Sequence, residues 1–129
     1  MPPNMYYLTR EVNLDSAHYL PKHPGKCSRM HGHRWKVQMM IGSDELNEQG
    51  MVVDFAILKE ALRVQVEDVF DHREINEILD CPTAEHMAKV FFDLLNAIIK
   101  VLKTPNRVEL IQVQVWETED SSVIYARGY

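Results

Sequence analysis

The sequence predicts an α+β domain in which a sheet is backed by two helices, with an antiparallel hairpin at each end of the chain. Apolar and polar residues alternate towards both ends, as in strands that bury one face. Between these stretches, apolar residues recur twice at helical spacing. A chain of 129 residues is enough for one compact domain and too short for two, so residues 1–129 are expected to form a single domain.

The first hairpin is predicted from residues 5–18 and 31–41, which are joined by a loop rich in proline and glycine. Apolar residues occupy even positions of the first strand, and His18 has the same parity, so its side chain should face the core. In the second strand, His33 shares a face with four apolar residues and should also point inward. Those four residues are Trp35, Val37, Met39 and Ile41.

A polar connection at 42–50 leads to a predicted short third strand at 51–53. Asp54 is a good N-cap for a helix from about Phe55 to Val69. The predicted buried stripe of this helix consists of Phe55, Leu58, Leu62, Val66 and Val69.

Thr83 is the candidate N-cap of a second helix, which Thr104-Pro105-Asn106 ends. Its buried stripe is predicted to be Met87, Phe91, Leu94, Leu95, Ile98 and Leu102. Strands at 108–116 and 123–127 then form the second hairpin. Ile111, Val113 and Val115 alternate with polar residues and put Glu117 on the apolar side.

The composition is that of a globular protein in water, with 46% hydrophobic and 26% charged residues. A net charge of -5 argues against nucleic-acid binding, which normally requires a basic face. No stretch is apolar enough to span a membrane, and residues 1–10 contain no signal-peptide core. We therefore expect a cytoplasmic protein with Cys27 and Cys81 reduced, a disulfide between them being the alternative.

A metal site is predicted where the second strand begins, because His31 and His33 lie two residues apart and share a strand face. His18 is the best third ligand, since it ends the strand expected to pair with theirs. Three imidazoles and one open position are typical of a catalytic Zn²⁺ site. The alternative is that Cys27 is a fourth ligand, which would close the site and make the zinc structural.

Further residues could carry acid–base chemistry. Cys27 lies between Lys26 and Arg29, and positive neighbours and a metal lower the pKa of a thiol. Asp71 precedes His72, and a carboxylate can orient a proton-transferring imidazole, although a solvated loop is the simpler reading of that pair. The inward Glu117 could pair with a basic residue or accept two N–H bonds from a flat heterocycle.

Six motifs, in order along the whole chain, resemble those of the 6-pyruvoyl-tetrahydropterin synthase family. They are Asp15-Ser16-Ala17-His18, Cys27-x3-His31-Gly32-His33, Gly50-Met51-Val52-Val53-Asp54-Phe55-x2-Leu58-Lys59, Phe70-Asp71-His72, Pro82-Thr83-Ala84-Glu85 and Glu117-Thr118.

The resemblance implies the tunnelling fold, in which an antiparallel four-stranded sheet is backed by two helices. It also implies a homo-oligomer (a trimer or hexamer) whose sheets form a barrel with active sites at subunit interfaces. The implied roles cover the metal, the proton transfers and the pterin. They are His18, His31 and His33 for zinc, Cys27 as general base, Asp71 and His72 as proton relay, Glu117 as pterin anchor, and Thr83 and Glu85 near the pterin pocket.

Three residues separate Cys27 from His31, which is similar to the 6-carboxy-tetrahydropterin synthases of queuosine biosynthesis. The implied reaction converts 7,8-dihydroneopterin triphosphate to 6-carboxy-5,6,7,8-tetrahydropterin, with release of acetaldehyde and triphosphate. Lys22, Lys26 and Arg29 are candidates to bind the triphosphate or are simply solvated surface charges. The alternatives are a 6-pyruvoyl-type synthase, with a longer insertion at this place, and a non-catalytic zinc-stabilised binding module.

Overall fold

The computed structural model describes residues 4–128, which contain one four-stranded antiparallel sheet in the order β1-β2-β3-β4. The strands are β1 (Tyr6–His18), β2 (His31–Ser43), β3 (Glu109–Thr118) and β4 (Ser121–Ala126). Both predicted hairpins are confirmed. In the first, His18 is directly opposite His31, so the end of β1 and the start of β2 lie at the same edge of the molecule.

Two helical regions cover one face of the sheet, as predicted. The first begins with α1 (Phe55–Leu62), passes through a π-helical segment (Arg63–Glu67) and ends with α2 (Asp68–Phe70). The second is α3 (Ala84–Val101). Both predicted N-caps are present, because Asp54 accepts from the Ala56 N–H at 2.8 Å and Thr83 accepts from the His86 N–H at 3.1 Å.

The core lies between this sheet face and the helices. Leu58, Leu62 and Val66 are buried as predicted, but Phe55 and Val69 are exposed, and Phe70 is buried instead of Val69. The π-helical segment explains the exchange of Val69 for Phe70, because its wider turn shifts the residues that follow it relative to the core-facing stripe.

The stripe of α3 is also broader than predicted. Met87, Phe91 and Leu95 are fully buried, whereas Leu94, Ile98 and Leu102 are only partly buried. The remaining buried positions of α3 are Ala84, Ala88, Phe92 and Ile99.

The short strand predicted at 51–53 does not form, although Val52 and Val53 are buried. Two asparagine side chains and the Asn47 N–H, which donates to the Met51 carbonyl at 2.7 Å, bond to its main chain in place of a neighbouring strand. The Asn47 carboxamide accepts from the Met51 N–H at 3.0 Å, and the Asn106 carboxamide donates to the Val52 carbonyl at 3.1 Å. The sequence pattern therefore predicted the burial of Val52 and Val53 correctly, but the strand conformation that it predicted is wrong.

A bulge in β3 changes which face its apolar residues occupy. Met40 pairs with Gln112 and Ile41 with Leu110, so Ile111 is the extra residue. Ile111 therefore lies against Gly42 on the outer face, where its Cδ1 would be 3.1 Å from a Cβ at that glycine. Beyond the bulge, Val113 and Val115 face the core as predicted, and both are buried.

Within residues 4–128, no helix combines the length and the apolar character needed to cross a membrane.

Candidate functional site

Three imidazoles converge where β1 ends and β2 begins. The ring centroids of His18 and His31 are 4.6 Å apart, and those of His31 and His33 are 4.8 Å apart. One ligand atom from each ring, with a carboxylate oxygen of Glu117, lies within 4.8 Å of the others. The pairing of the strands and the two-residue strand repeat produce this convergence, as the sequence predicted.

Main-chain carbonyls fix two of these rings. Nδ1 of His18 lies 2.7 Å from the carbonyl oxygen of Pro82, and Nδ1 of His31 lies 2.7 Å from that of Arg29. A carbonyl can only accept, so Nδ1 carries the proton in both rings. Each neutral imidazole therefore directs an unprotonated Nε2 into the cluster, as metal-ligating histidines do.

All three Nε2 atoms are buried and have no hydrogen-bond partner. Three buried ring nitrogens that face one another without a hydrogen-bond partner are costly unless a cation lies between them. Three imidazole nitrogens are a common ligand set for a divalent transition metal, zinc above all. The residues thus fit a metal ion, and His18, His31 and His33 are those that could hold it.

Burial also keeps the imidazoles of His18 and His33 in their metal-binding form. Burial lowers the pKa of His18 below its usual value, and the nearby His31 ring adds to the effect. The pKa of His33 is lowered for the same reason, although the Glu117 carboxylate opposes it. Neutral imidazole at pH 7 needs no deprotonation before it binds a metal.

Trp35 forms the wall beneath the cluster. Its indole is fully buried, with ring centroids 4.9 Å from His18 and 5.2 Å from His33. The indole N–H donates to the carbonyl of Ser16 at 3.2 Å. The sequence had placed Trp35 on the inward row of β2, but this supporting role was missed.

Glu117 extends from the end of β3 on the predicted side, with Oε1 3.2 Å from Nε2 of His33. The geometry of this contact is not that of a hydrogen bond. A carboxylate here can bind the metal or accept N–H bonds from a molecule above it.

Cys27 lies in a short 3-10 helix (Lys26–Ser28), and its carbonyl accepts from the Leu20 N–H at 2.8 Å, which closes the loop between β1 and β2. Among the residues that the structure describes, its thiol is not part of the group of converging ligand atoms. Both Cys27 and Cys81 are free thiols.

Asp71 and His72 form a second cluster beside β1. Nδ1 of His72 lies 2.9 Å from Oδ2 of Asp71, while Oδ1 of Asp71 accepts from the Asp15 N–H at 2.8 Å. Burial alone would raise the pKa of Asp71, but these hydrogen bonds outweigh it and hold that pKa below its usual value. The His72 side chain is 77% exposed. His72 and His33 line the same depression of about 500 Å³.

The remaining predicted residues lie around the start of α3 and in the loop after β1. Thr83 uses its hydroxyl as the N-cap, and Glu85 is exposed in the first turn. The Pro82 carbonyl, which orients His18, immediately precedes them. Lys22, Lys26 and Arg29 are exposed in the loop.

Comparison with known proteins gives a consistent result. The family described as 6-pyruvoyl tetrahydropterin synthase matches residues 7–128. The 6-carboxy-5,6,7,8-tetrahydropterin synthase of Bacillus subtilis is 32% identical over 132 aligned positions, covering 95% of this chain and 86% of the relative. The protein of the same name from Synechocystis is 38% identical over 94 positions, covering 68% and 73%.

Solved structures agree at the level of the fold. The 6-pyruvoyl tetrahydropterin synthase of Caenorhabditis elegans superposes with a TM-score of 0.81 at 24% identity, covering 99% of both chains. The Plasmodium vivax enzyme of the same name superposes with a TM-score of 0.72 at 18% identity, covering 98% and 99%.

Proposed function

The chain belongs to the 6-pyruvoyl tetrahydropterin synthase family, and on that premise we propose that it is a lyase that makes 6-carboxy-5,6,7,8-tetrahydropterin. Its substrate is 7,8-dihydroneopterin triphosphate, and acetaldehyde and triphosphate are released. This reaction is a step in queuosine biosynthesis. The names of the relatives support the carboxy product, as does the gap of three residues between Cys27 and His31.

The observation that carries the proposal is the convergence of three buried, unpartnered Nε2 atoms. His18, His31 and His33 would hold Zn²⁺ through these atoms, with one position left for substrate. When bound, zinc acts as a Lewis acid towards the oxygens of the substrate side chain, which acidifies the adjacent C–H.

Cys27 is proposed as the general base that removes this proton. Within residues 4–128, its thiol is not among the ligand atoms that lie within 4.8 Å of one another, which supports a role other than that of a ligand. In the closed-site alternative, Cys27 is instead the fourth ligand of a structural zinc.

The Asp71–His72 pair is proposed as the second proton-transfer unit. The hydrogen bonds that Asp71 accepts keep its carboxylate ionised, so it can orient the His72 ring through Nδ1. Nε2 of His72 is then the atom that exchanges a proton with substrate.

Glu117 is proposed to anchor the pterin by accepting two N–H bonds, which is how a carboxylate recognises a flat donor pair. Thr83 and Glu85 lie at the start of α3, directly after the Pro82 carbonyl that orients His18, and would border the same pocket. Lys22, Lys26 and Arg29 remain candidates for the triphosphate.

A homo-oligomer with interfacial sites is proposed as the active form. β1 and β4 are the outer strands of the sheet, and an unpaired strand edge is a template for another chain. Tyr7 on β1 and Ile124 on β4 are 55% and 52% exposed, and exposed large apolar side chains are typical of surfaces that another subunit covers. Light scattering should give a mass three or six times that of the chain, and a monomeric active enzyme would contradict this.

A cytoplasmic location is also proposed, since both thiols are free.

Product identification tests the function. Zinc-loaded protein is incubated with 7,8-dihydroneopterin triphosphate, and products are analysed by mass spectrometry. The 6-carboxy product with acetaldehyde is expected. The 6-pyruvoyl product would favour the sister activity, and no turnover at full zinc loading would contradict the proposal.

A further inference from the structure

A serine hydroxyl holds the end of the helix that leads into the Asp71–His72 pair. Ser16, a buried residue of β1, donates from Oγ to the carbonyl of Phe70 at 2.5 Å. Phe70 is the last residue of α2, and carbonyls in the last turn of a helix have no partner within it. Loss of the hydroxyl would therefore remove the donor from a carbonyl located one residue before Asp71.

The chain beyond Phe70 is tied to the same strand by its main chain. The His72 N–H donates to the Asp15 carbonyl at 2.8 Å, and the Ala17 N–H donates to the Arg73 carbonyl at 3.1 Å. His72 has a φ of 55°, in the left-handed region that a residue with a side chain seldom adopts. The surrounding hydrogen bonds thus hold His72 in a backbone conformation that it would not favour alone.

Ser16 also contacts the metal-ligand cluster through Trp35. Its carbonyl accepts the indole N–H of Trp35, the residue that packs against His18 and His33. Ser16 therefore makes two hydrogen bonds that link the two clusters. Its carbonyl accepts from Trp35, which packs against the imidazoles, and its hydroxyl donates to Phe70, which directly precedes Asp71.

We propose that Ser16 is a positioning residue for proton transfer by His72. Its hydroxyl fixes where the 70–73 segment leaves the helix, and hence where the His72 ring points, without itself touching the substrate. This inference rests on the proposed function of His72. A displacement of about 1 Å in a proton-transferring group is enough to lower a rate by one to two orders of magnitude.

The test compares Ser16→Thr with Ser16→Val, which have the same shape and differ in the hydroxyl. Each is made alone and together with His72→Ala, and kcat, KM, zinc content and Tm are measured. Ser16→Val is expected to lower kcat about tenfold relative to Ser16→Thr, with zinc content equal and KM within about twofold. In the His72→Ala background the two variants should have the same kcat, because the hydroxyl acts through His72.

Ser43→Ala is the matched control. Ser43 is buried at the opposite end of β2 and donates from Oγ to the Glu45 carbonyl at 3.0 Å, so its loss has a similar chemical effect far from the site. It is expected to lower Tm and leave kcat unchanged. If the added methyl group prevents folding of the Ser16→Thr variant, Ser16→Ala against wild type gives the same comparison.

Two results would overturn the inference: equal kcat for Ser16→Val and Ser16→Thr, or an equal loss with and without His72. A wild-type kcat for His72→Ala alone would instead contradict the proposed function of the pair, so the two failures are distinguishable.

Discussion

Nε2 of His33 and Oε1 of Glu117 lie 3.2 Å apart without forming a hydrogen bond. Both atoms instead face the space that the Nε2 atoms of His18 and His31 also face. Glu117 is therefore close enough to contact either a metal ion or a molecule bound to it.

Replacing Glu117 with glutamine separates these two possibilities. The amide keeps the shape but replaces one of the two acceptor oxygens with an NH2 donor, so it can no longer accept a pair of N–H bonds side by side. KM for the pterin substrate should therefore rise about tenfold or more while zinc content stays the same. Kinetics and metal analysis of one preparation provide both values. Glu109→Gln, a half-buried position at the other end of β3, is the control, and loss of zinc from Glu117→Gln would make Glu117 a ligand instead.

Removing the metal should destabilise the protein. Without a cation the three Nε2 atoms remain buried and unpartnered, so a chelator is expected to lower Tm by several degrees. His31→Ala should have a low Tm that the chelator no longer changes. His86→Ala removes an exposed histidine whose Nδ1 also contacts a carbonyl, that of Cys81, and it should retain zinc. An equal response of both variants to the chelator would argue against the site.

Asp71 should make the stability of the protein depend on pH. Its pKa is lower in the folded chain than the usual value of about 3.9, so its contribution is complete above that value. The contribution is lost as the pH falls through the folded pKa. The unfolding free energy of zinc-free wild type is expected to exceed that of Asp71→Asn by about 1–2 kcal/mol at pH 6. This difference should shrink towards pH 2.5. Urea unfolding at several pH values measures it, and a difference that stays constant would contradict the prediction.

Asn106 should be important for stability and not for catalysis. Its buried carboxamide donates to the carbonyls of Glu45 and Val52 and so supports the irregular 51–53 segment. Asn106→Ala leaves the Val52 carbonyl without this donor and the Glu45 carbonyl with only the Ser43 hydroxyl, and is expected to cost about 2–3 kcal/mol in unfolding free energy. The kcat of the folded fraction should not change, and an unaltered urea midpoint would contradict this account.

The sequence predicted those parts of the site that depend on strand periodicity. The inward positions of His18 and His33 follow from the two-residue repeat. The position of Glu117 follows from the same repeat through Val113 and Val115, whereas Ile111, which was predicted on that face, lies at the bulge on the other face. The proximity of His18 to His31 could also be predicted, because a hairpin of the first two strands places the end of one beside the start of the other.

Other parts depend on contacts that periodicity does not encode. The carbonyls of Pro82 and Arg29 orient two ligands, and every residue has a carbonyl, so no residue type marks this role. The exposure of Val69 depends on a π-helical segment, and the missing strand at 51–53 depends on an asparagine more than fifty residues away.

The central claim is that three histidines hold the metal while Cys27 remains off it as the base. The most direct test measures zinc content and turnover together for Cys27→Ala. If Cys27 is the base and not a ligand, the variant should keep wild-type zinc content and Tm and lose roughly 10²- to 10⁴-fold in kcat. Loss of zinc and of folding, with turnover falling only in proportion to the zinc lost, would make Cys27 a structural ligand and contradict the account.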